Sequence, residues 1–244
     1  MQSQPEPSEQ RNPQAACAET APASLAGSVT PGAADIASRL TTYVHRRQTL
    51  FEWMHPLRLA CLSFSRYLHV SNPTQSATLA QAFLEQAGLP EPPLSAFASA
   101  GTALALLPLP ACLCVCRLRA LLAHVNELRT WIDRPRRAQL REWVGELAAS
   151  LIYSFLPAPT AGHVPDADPL PAGEGAGDLL AWRGLQLLER DYGWNGHGPL
   201  ALAQFALPVD SCAESCPPPL PHRDLGASAW IAGVLPKLFP EQSW

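Results

Sequence analysis

The cysteines of this chain are the residues whose type and spacing come nearest to a chemical site, because thiolates bind zinc. Cys112, Cys114 and Cys116 alternate in one segment, and Cys212 and Cys216 follow near the C-terminus. Zinc-binding cysteines usually form closely spaced pairs in polar turns. The first three cysteines instead lie in an apolar run, where cysteine packs as a small buried side chain. We therefore predict that these three belong to the core, and a metal site is the alternative.

A second group of candidate ligands, His163, Asp166 and Asp168, lies within the proline- and glycine-rich segment 157–176. Catalytic and metal-binding side chains need rigid support, whereas this composition is typical of an exposed loop. The sequence also lacks the His-Glu-x-x-His, Gly-x-Ser-x-Gly, Gly-x-Gly-x-x-Gly and P-loop motifs. We therefore predict a protein that is not an enzyme and needs no cofactor.

The glycine-rich segment 193–198, Gly-Trp-Asn-Gly-His-Gly, could in principle wrap around a phosphate group. Loops of that kind follow a strand in nucleotide-binding folds, but this segment follows a helical pattern. The sequence therefore predicts a tight turn between helices, with Trp194 packed down onto the protein.

Arginines are concentrated in residues 117–146, which contain seven arginines and four acidic residues. This segment has a net charge of +3 in a chain whose total is −4, so the remainder carries −7. A positive patch on an acidic body indicates a docking surface for an acidic protein, although nucleic-acid phosphates or plain solvent could also face it. The arginines are Arg117, Arg119, Arg129, Arg134, Arg136, Arg137 and Arg141. The candidate partner-binding residues are Arg134, Arg136, Arg137 and Arg141.

The elements that position these arginines are two amphipathic helices joined by an Asp-Arg-Pro turn, which form an αα-hairpin. The apolar residues of the first helix, three or four positions apart, are Leu118, Leu121, Leu122, Val125, Leu128 and Ile132. Those of the second helix are Leu140, Val144, Leu147, Leu151 and Phe155. Asp133 is the predicted N-cap, and Pro135 fits the first turn. Trp131 and Trp143 lie on or beside the apolar stripes, so we expect both in the core.

Four shorter helices precede the hairpin in the pattern of apolar residues. The first starts near Ala33 and is interrupted before Pro56, because proline disfavours a helical conformation at the preceding residue. The second covers residues 57–69. The third is capped by Thr74 or Ser76 and ends at Gly88, and Ser95 caps a fourth that extends to Leu107.

After the hairpin, the sequence predicts three more helices. Asp178 is the expected N-cap of one, and the apolar segments 200–207 and 227–239 form the other two, with strands as their alternative. The fold class that follows is all-α, a multi-helix globular bundle containing the αα-hairpin. Its predicted parts are a disordered tail (1–31), a helical core domain (32–156), a linker or loop (157–176) and a C-terminal helical region on or beside the core (177–244).

Residues 92–116 carry no charge and are long enough to cross a membrane. Pro108 and Pro110 lie within the segment, and two prolines so close together cannot both sit inside one helix. We therefore expect two buried elements and no membrane insertion. An odd number of cysteines and an N-terminus without an apolar signal sequence indicate the cytoplasm.

Two segments resemble the SctK family, also called YscK/OrgA, of accessory proteins of the bacterial type III secretion apparatus. Trp53-Met54-His55-Pro56-Leu57-Arg58-Leu59 is similar to its hydrophobic-His-Pro-x-Arg-Leu segment, and Arg117 to Gly145 is similar to its later helical hairpin. The resemblance covers about residues 40–155. The positions that match the family motifs are Trp53, His55, Pro56, Arg58, Asp133 and Pro135.

The resemblance implies a non-enzymatic cytoplasmic adaptor of the sorting platform, peripheral to the inner-membrane secretion apparatus. Its expected partners are an SctD-like inner-membrane ring protein and an SctQ-like pod protein, with an SctL-like stator and an SctN-like ATPase contacted indirectly. No nucleic acid is expected as a partner. The alternatives are a helical nucleic-acid-binding regulator that uses the arginine-rich hairpin and a metalloenzyme that uses the cysteine and histidine groups.

Overall fold

The computed structural model of the protein describes residues 32–70, 72–99, 101–155, 169–194, 196–209 and 225–242. Within these ranges all regular secondary structure is helical, which confirms the all-α prediction. The predicted tail, most of the predicted linker with His163, Asp166 and Asp168, and the pair Cys212 and Cys216 lie outside the described residues.

The N-terminal part consists of five short and medium helices. They are α1 (Ala33–Gln48), α2 (Leu50–Trp53), α3 (Pro56–Ala60), a first 3₁₀ helix (Ser65–Val70) and α4 (Pro73–Gln86). The single helix predicted over residues 57–69 is thus wrong. The chain turns after α3, which allows Phe64 to pack edge-on against Phe51 with ring centroids 5.6 Å apart.

The start of α4 also differs from the prediction, because Asn72 is the N-cap instead of Thr74 or Ser76. Asn72 Oδ1 accepts a hydrogen bond from the Gln75 N–H at 2.8 Å, and the Gln75 side chain accepts one from the Asn72 N–H at 3.2 Å. This reciprocal capping box sits immediately before Pro73, which needs no hydrogen bond at the first helical position. Gly88 follows the helix with φ +68°, as expected for a C-terminal glycine.

The central part contains α5 (Leu94–Phe97), α6 (Thr102–Leu106), α7 (Leu109–Leu122), α8 (Val125–Leu128), α9 (Arg134–Val144) and α10 (Glu146–Ile152). Pro108 precedes α7 and Pro110 lies in its first turn, so the predicted break in the uncharged segment is confirmed. Ser95, the predicted cap, instead lies inside α5, which begins after Pro93. No helix in the described ranges is both long and apolar enough to span a membrane.

The predicted hairpin is present, but each arm is divided. A turn after Leu122 separates α7 from α8, and Gly145, with φ +82°, separates α9 from α10. Asp133 caps α9 as predicted, because its Oδ1 accepts a hydrogen bond from the Arg136 N–H at 2.9 Å. Gly145 is required at this point because L side chains rarely adopt a positive φ.

Two residues assigned to the apolar stripes of the hairpin are exposed, so those assignments are wrong. Ile132 is 80% exposed because it lies in the turn before α9, where the preceding Trp131 takes the buried position. Leu147 is 50% exposed because the bend at Gly145 starts a new helix whose buried face carries other residues. That face consists of Ala148, Ala149 and Ile152.

The C-terminal part contains α11 (Ala176–Asp191), a second 3₁₀ helix (Pro199–Ala206) and α12 (Leu225–Leu238). Gly175 is the N-cap of α11, and Asp178, the predicted cap, lies inside its first turn. Helix α11 packs tightly on α7 at Gly184, where an added Cβ would lie 1.6 Å from the Cys116 carbonyl oxygen. Only glycine permits this close approach of two helix backbones.

The buried apolar residues form two clusters. The larger is built from α6 to α12 and includes Trp131 and Trp143, as predicted. The smaller is built mainly from α1, α2 and α4 together with Phe97. The second 3₁₀ helix contributes Leu202 and Phe205 to the smaller cluster and other residues to the larger one, so it joins the two.

Candidate partner interface

The three alternating cysteines occupy packing positions on α7. Cys112 and Cys116 are buried, and the part-buried Cys114 donates a hydrogen bond from its Sγ to the Val144 carbonyl at 3.2 Å. The Cys116 thiol donates a hydrogen bond to Cys112. This hydrogen bond and burial raise the pKa of Cys116 well above its ordinary value. Among the described residues, no three His, Cys, Asp or Glu side chains lie close enough together to hold a metal ion. These cysteines pack in the core as predicted.

The glycine-rich segment folds back onto the end of α11, with Trp194 packed down as predicted. The Trp194 ring stacks on Tyr192 with centroids 4.9 Å apart. The Gly196 and Gly198 N–H groups donate hydrogen bonds to Glu189 Oε2 at 3.1 and 3.4 Å. The amides of this segment therefore bind an internal carboxylate.

Glu189 is a buried acid that the sequence reasoning did not find. Its second oxygen, Oε1, has no hydrogen-bond partner among the described residues, and only 6% of Glu189 is exposed. Burial raises the pKa of Glu189 to about 7, although the two glycine N–H groups act in the opposite direction. The residue lies within the core instead of at a cleft, so we assign it a structural role.

The residues of the His-Pro-x-Arg motif make contacts inside the protein. The His55 N–H donates a hydrogen bond to the Phe205 carbonyl at 2.9 Å, and His55 Nδ1 accepts one from the Leu57 N–H at 3.2 Å. Arg58 Nε donates to the Leu207 carbonyl at 2.6 Å, with its guanidinium 5.8 Å from the Phe205 ring centroid.

The remaining motif residues have similar structural roles. Trp53 Nε1 donates to the Arg46 carbonyl at 3.1 Å, and Pro56 begins α3. The motif therefore attaches α2 and α3 to α1 and to the second 3₁₀ helix, and is part of the scaffold.

Three of the seven clustered arginines bond to parts of the protein that are distant in sequence, and one of them, Arg119, is buried. Arg119 is 2% exposed, and its Nη2 lies 2.7 Å from Asp191 Oδ2. Ser228 Oγ donates a hydrogen bond to the same oxygen at 2.8 Å, so this network joins α7, α11 and α12. Arg117 donates to the Gly177 carbonyl at 3.0 Å, and Arg129 donates to the Phe155 carbonyl.

The other four, Arg134, Arg136, Arg137 and Arg141, are exposed on α9. Arg136 Nε lies 3.6 Å from Asp133 Oδ2, and Arg141 Nε lies 2.9 Å from Glu146 Oε2. Exposed ion pairs of this kind contribute little to stability, so a partner's carboxylates can replace them at low cost. Arg137 differs, because its Nε donates to the Trp131 carbonyl at 3.1 Å.

Comparison with known proteins identifies the family. A family model described as bacterial type III secretion protein (HrpB4) matches residues 32–241. The chain belongs to this family. The match confirms the resemblance to the SctK/OrgA type of accessory protein and extends it to α11 and α12. No curated protein and no solved structure matches the chain.

In this type III secretion protein, an apolar side chain adjoins the exposed arginines. Ile132, at 80%, is the most exposed large hydrophobic residue in the part of the chain that the structure describes. Ile132 lies between Trp131 and Asp133, the N-cap of α9. The guanidinium of Arg136 lies 5.7 Å from the ring centroid of Trp131. The turn therefore presents one apolar and several cationic side chains together.

The inward orientation of Arg119 could have been predicted from its position in the apolar pattern of α7. Arg119 is four residues after Val115 and seven after Cys112, so it lies on the buried face of α7. An arginine on an apolar face predicts a buried acidic partner. Nothing in the sequence indicates that Asp191 is that partner.

Proposed function

We propose that this type III secretion protein is a non-enzymatic cytoplasmic adaptor of the sorting platform. It links an SctD-like inner-membrane ring protein to an SctQ-like pod protein, and it reaches an SctL-like stator and an SctN-like ATPase only through the pod protein. The observation that carries the proposal is the set of four exposed arginines on α9, which the family match places in a protein of the secretion apparatus.

The physical requirements of an adaptor support this proposal. An adaptor needs a rigid body, which the network of Arg119, Asp191 and Ser228 provides by joining three helices. It also needs exposed groups that recognise a partner, and the planar guanidinium group binds carboxylates through two parallel hydrogen bonds. Arginine is accordingly enriched among the residues that dominate binding energy at protein interfaces.

The groups with shifted pKa values also favour binding over catalysis. Glu189, Cys114 and Cys116 owe their raised pKa values wholly or partly to burial in the packed core. Catalytic acids and bases usually have such shifts in a cleft that a substrate can enter. These residues instead lie in or against the apolar core.

The adaptor proposal is tested by reconstitution from purified components. The full chain is mixed with the cytoplasmic part of the ring protein, with the pod protein, and with both, and the complexes are measured by size-exclusion chromatography with light scattering. We expect a ternary complex that the two partners do not form without the adaptor. Binding of only one partner, or of neither, contradicts the proposal.

A helical nucleic-acid-binding regulator is the second candidate, since the same exposed arginines could contact phosphates. It predicts binding to duplex DNA that weakens steeply and linearly on a log–log plot against salt concentration. The acidic remainder of the chain opposes this function. Absence of DNA binding by the full chain at low salt eliminates it.

A further inference from the structure

The turn at residues 193–198 is attached to α11 by hydrogen bonds to Glu189. The Gly196 and Gly198 N–H groups donate to Oε2 of its carboxyl group, and the Trp194 N–H donates to its carbonyl oxygen at 2.8 Å. Gly198 is also the N-cap of the second 3₁₀ helix, which contributes side chains to both apolar clusters. One residue of α11 therefore holds the start of the helix that joins the two clusters.

Aromatic rings and glycine backbone pack closely at this turn. Trp194 stacks on Tyr192, and an added Cβ at Gly198 would lie 2.4 Å from the Trp194 ring. An added Cβ at Gly101 would lie 2.7 Å from the Tyr192 ring. Because Glu189 is only 6% exposed, hydration of its carboxyl group requires a local opening of this packing.

Gln186 lies one helical turn before Glu189 and carries a second unsatisfied oxygen. Residues three positions apart on a helix are neighbours on its surface. Gln186 Oε1 and Glu189 Oε1 are both buried, and neither has a hydrogen-bond partner among the described residues. Two acceptors cannot satisfy each other, but a protonated carboxyl group supplies the missing donor. A hydrogen bond from the Glu189 hydroxyl to Gln186 Oε1 removes the cost of leaving both atoms unsatisfied.

No ion pair involves Glu189 in the part of the chain that the structure describes. The arginines of α7 and α11 bond to other groups: Arg117 to Asp178, Arg119 and Arg190 to Asp191, and Arg183 to the Pro169 carbonyl. The second 3₁₀ helix carries no charged residue, and Lys237 of α12 and His197 of the turn are exposed. These elements therefore provide no cation that compensates an ionised Glu189.

Two tyrosines also belong to the surroundings of Glu189. Tyr43 of α1 interacts with it electrostatically, and Tyr192 follows it at the end of α11. Burial raises the pKa of both tyrosines to about 12, so both are neutral between pH 6 and 8. Arg47, next to the Tyr43 ring, pairs with Glu91 at 2.6 Å. Glu189 changes charge near neutral pH while these tyrosines do not, since burial raises its pKa to about 7.

We propose that Glu189 is a pH-dependent latch that holds the turn at residues 193–198 against α11. In the closed state, its protonated carboxyl group donates to Gln186 Oε1 and accepts from the two glycine N–H groups. Ionisation removes the donor and places a negative charge opposite the Gln186 oxygen, so the carboxylate becomes hydrated only when the turn opens. The latch regulates how firmly the second 3₁₀ helix is held, and it does not depend on the proposed adaptor function.

The frequency of opening should depend on pH in a defined way. In the open turn Glu189 is hydrated and has its ordinary pKa of 4.5, whereas in the closed turn the pKa is about 7. Opening should therefore become about tenfold more frequent for each pH unit between these two values and level off above the higher one. Between pH 6 and pH 8 the expected increase is about tenfold.

Hydrogen exchange of the full chain, followed by NMR between pH 6 and 8, measures this opening. Each exchange rate is divided by the intrinsic rate at the same pH, which gives a protection factor. The Gly196 and Gly198 amides should lose about tenfold in protection over this range. The Gln75 amide is the control and should lose none, because its acceptor is the amide oxygen of Asn72, which does not titrate.

Two variants distinguish the latch from simple burial of an acid. In Glu189→Gln the side-chain amide donates to Gln186 and still accepts from the glycines, so protection should not vary with pH. Gln186→Met has a similar size but no oxygen acceptor, so the pKa of Glu189 should fall toward 4.5. Gln86→Met, at an exposed position of α4, is its control and should leave that pKa unchanged. The pKa is read by NMR from the assigned carboxyl carbon of Glu189.

Constant protection of Gly196 and Gly198 between pH 6 and 8 in the wild type would overturn the proposal, as would an equal loss at Gln75. An unchanged or higher pKa of Glu189 in Gln186→Met would also overturn it. Replacing a glutamine that is merely packed there with an apolar side chain would strengthen desolvation and raise that pKa. Neither measurement involves a secretion partner, so failure of the adaptor function would leave this result unaffected.

Discussion

The arginines of α7 and those of α9 belong to the same hairpin but have opposite roles. Arg119 on α7 is almost completely buried and is neutralised by Asp191, 72 residues away in the chain. On α9, Arg136 and Arg141 retain about half or more of their side-chain exposure and pair with acids only three and five residues away. One group joins helices, and the other faces outward.

The difference shows which arginines could exchange a carboxylate of this chain for a carboxylate of another protein. A buried ion pair has lost its hydration, so removal of one member leaves the other charge in the core without that neutralising partner. An exposed pair remains hydrated and contributes at most about 1 kcal/mol. The α9 arginines can therefore change partners without a large effect on the fold, whereas Arg119 cannot.

The largest expected effect comes from removing the buried ion pair. Arg119→Ala should lower the free energy of unfolding by about 3 kcal/mol, the lower end of the range for a broken buried ion pair, because Asp191 would keep Arg190 and Ser228 as partners. Urea unfolding followed by circular dichroism measures the change. Arg141→Ala is the control and should stay within about 0.5 kcal/mol of the wild type. Equal stability of Arg119→Ala and the wild type would show that the pair does not join the helices.

The two buried acids of α11, Glu189 and Asp191, differ in the groups that donate hydrogen bonds to them. Backbone amides donate to Glu189, whereas arginine donates to Asp191. The pKa of Glu189 is raised from 4.5 to about 7 by burial, so the folded state favours the protonated form. Its stabilising contribution is complete below pH 4.5 and is lost as the pH rises through about 7. The free energy of unfolding therefore falls by about 3 kcal/mol in total over this pH range, the free-energy equivalent of this pKa difference.

Glu189→Gln should remove this pH dependence and be more stable than the wild type at pH 8. Urea unfolding of both proteins between pH 4.5 and 8 tests the prediction, with the exposed Glu52→Gln as the control. Tyr43, which interacts electrostatically with Glu189, has its pKa raised to about 12 by burial and stays neutral in this range. Identical pH profiles for the wild type and Glu189→Gln would contradict the assignment.

A smaller loss of stability is expected at the family motif. Arg58→Ala removes the hydrogen bond to the Leu207 carbonyl and should cost about 2 kcal/mol, typical of a hydrogen bond from a charged group. Arg66→Ala, at an exposed position of the first 3₁₀ helix, is the control. At a temperature where Arg58→Ala is folded, its affinity for the partner proteins should equal that of the wild type. A loss of affinity without a loss of stability would make the motif a binding site.

Some local features of this fold were predictable from the sequence, although only one of the four predicted N-caps is correct, and the long-range contacts were not predictable. The Asp133 cap and the break at Pro108 follow from neighbouring residues, so the pattern predicted them correctly. The contact between Arg58 and Leu207 joins residues 149 positions apart, and no local pattern indicates it. The exposure of Leu147 was missed for a related reason, because the positive φ of Gly145 ends one helix and reorients the next.

The candidate interface was predicted in part. The sequence pattern indicated Arg134, Arg136, Arg137 and Arg141 as partner-binding residues, and all four are exposed on α9. Ile132 was assigned to the core because its spacing fits the apolar stripe of the preceding helix. The helix ends before that residue, so the periodicity no longer determined which way the side chain faced.

The central claim is that Arg136 and Arg141 of α9 bind a secretion partner while contributing little to the stability of the fold. It is tested most directly by the double variant Arg136→Glu/Arg141→Glu against a control with the same change in charge, Arg66→Glu/Lys237→Glu, on other helices. Affinity for the ring and pod proteins is measured by calorimetry alongside the free energy of unfolding. We predict that the α9 variant alone loses about tenfold or more in affinity for one partner, while its free energy of unfolding falls by no more than about 2 kcal/mol, the most that two exposed ion pairs contribute. Wild-type affinity for both partners in the α9 variant, or equal losses in the two variants, would contradict the account.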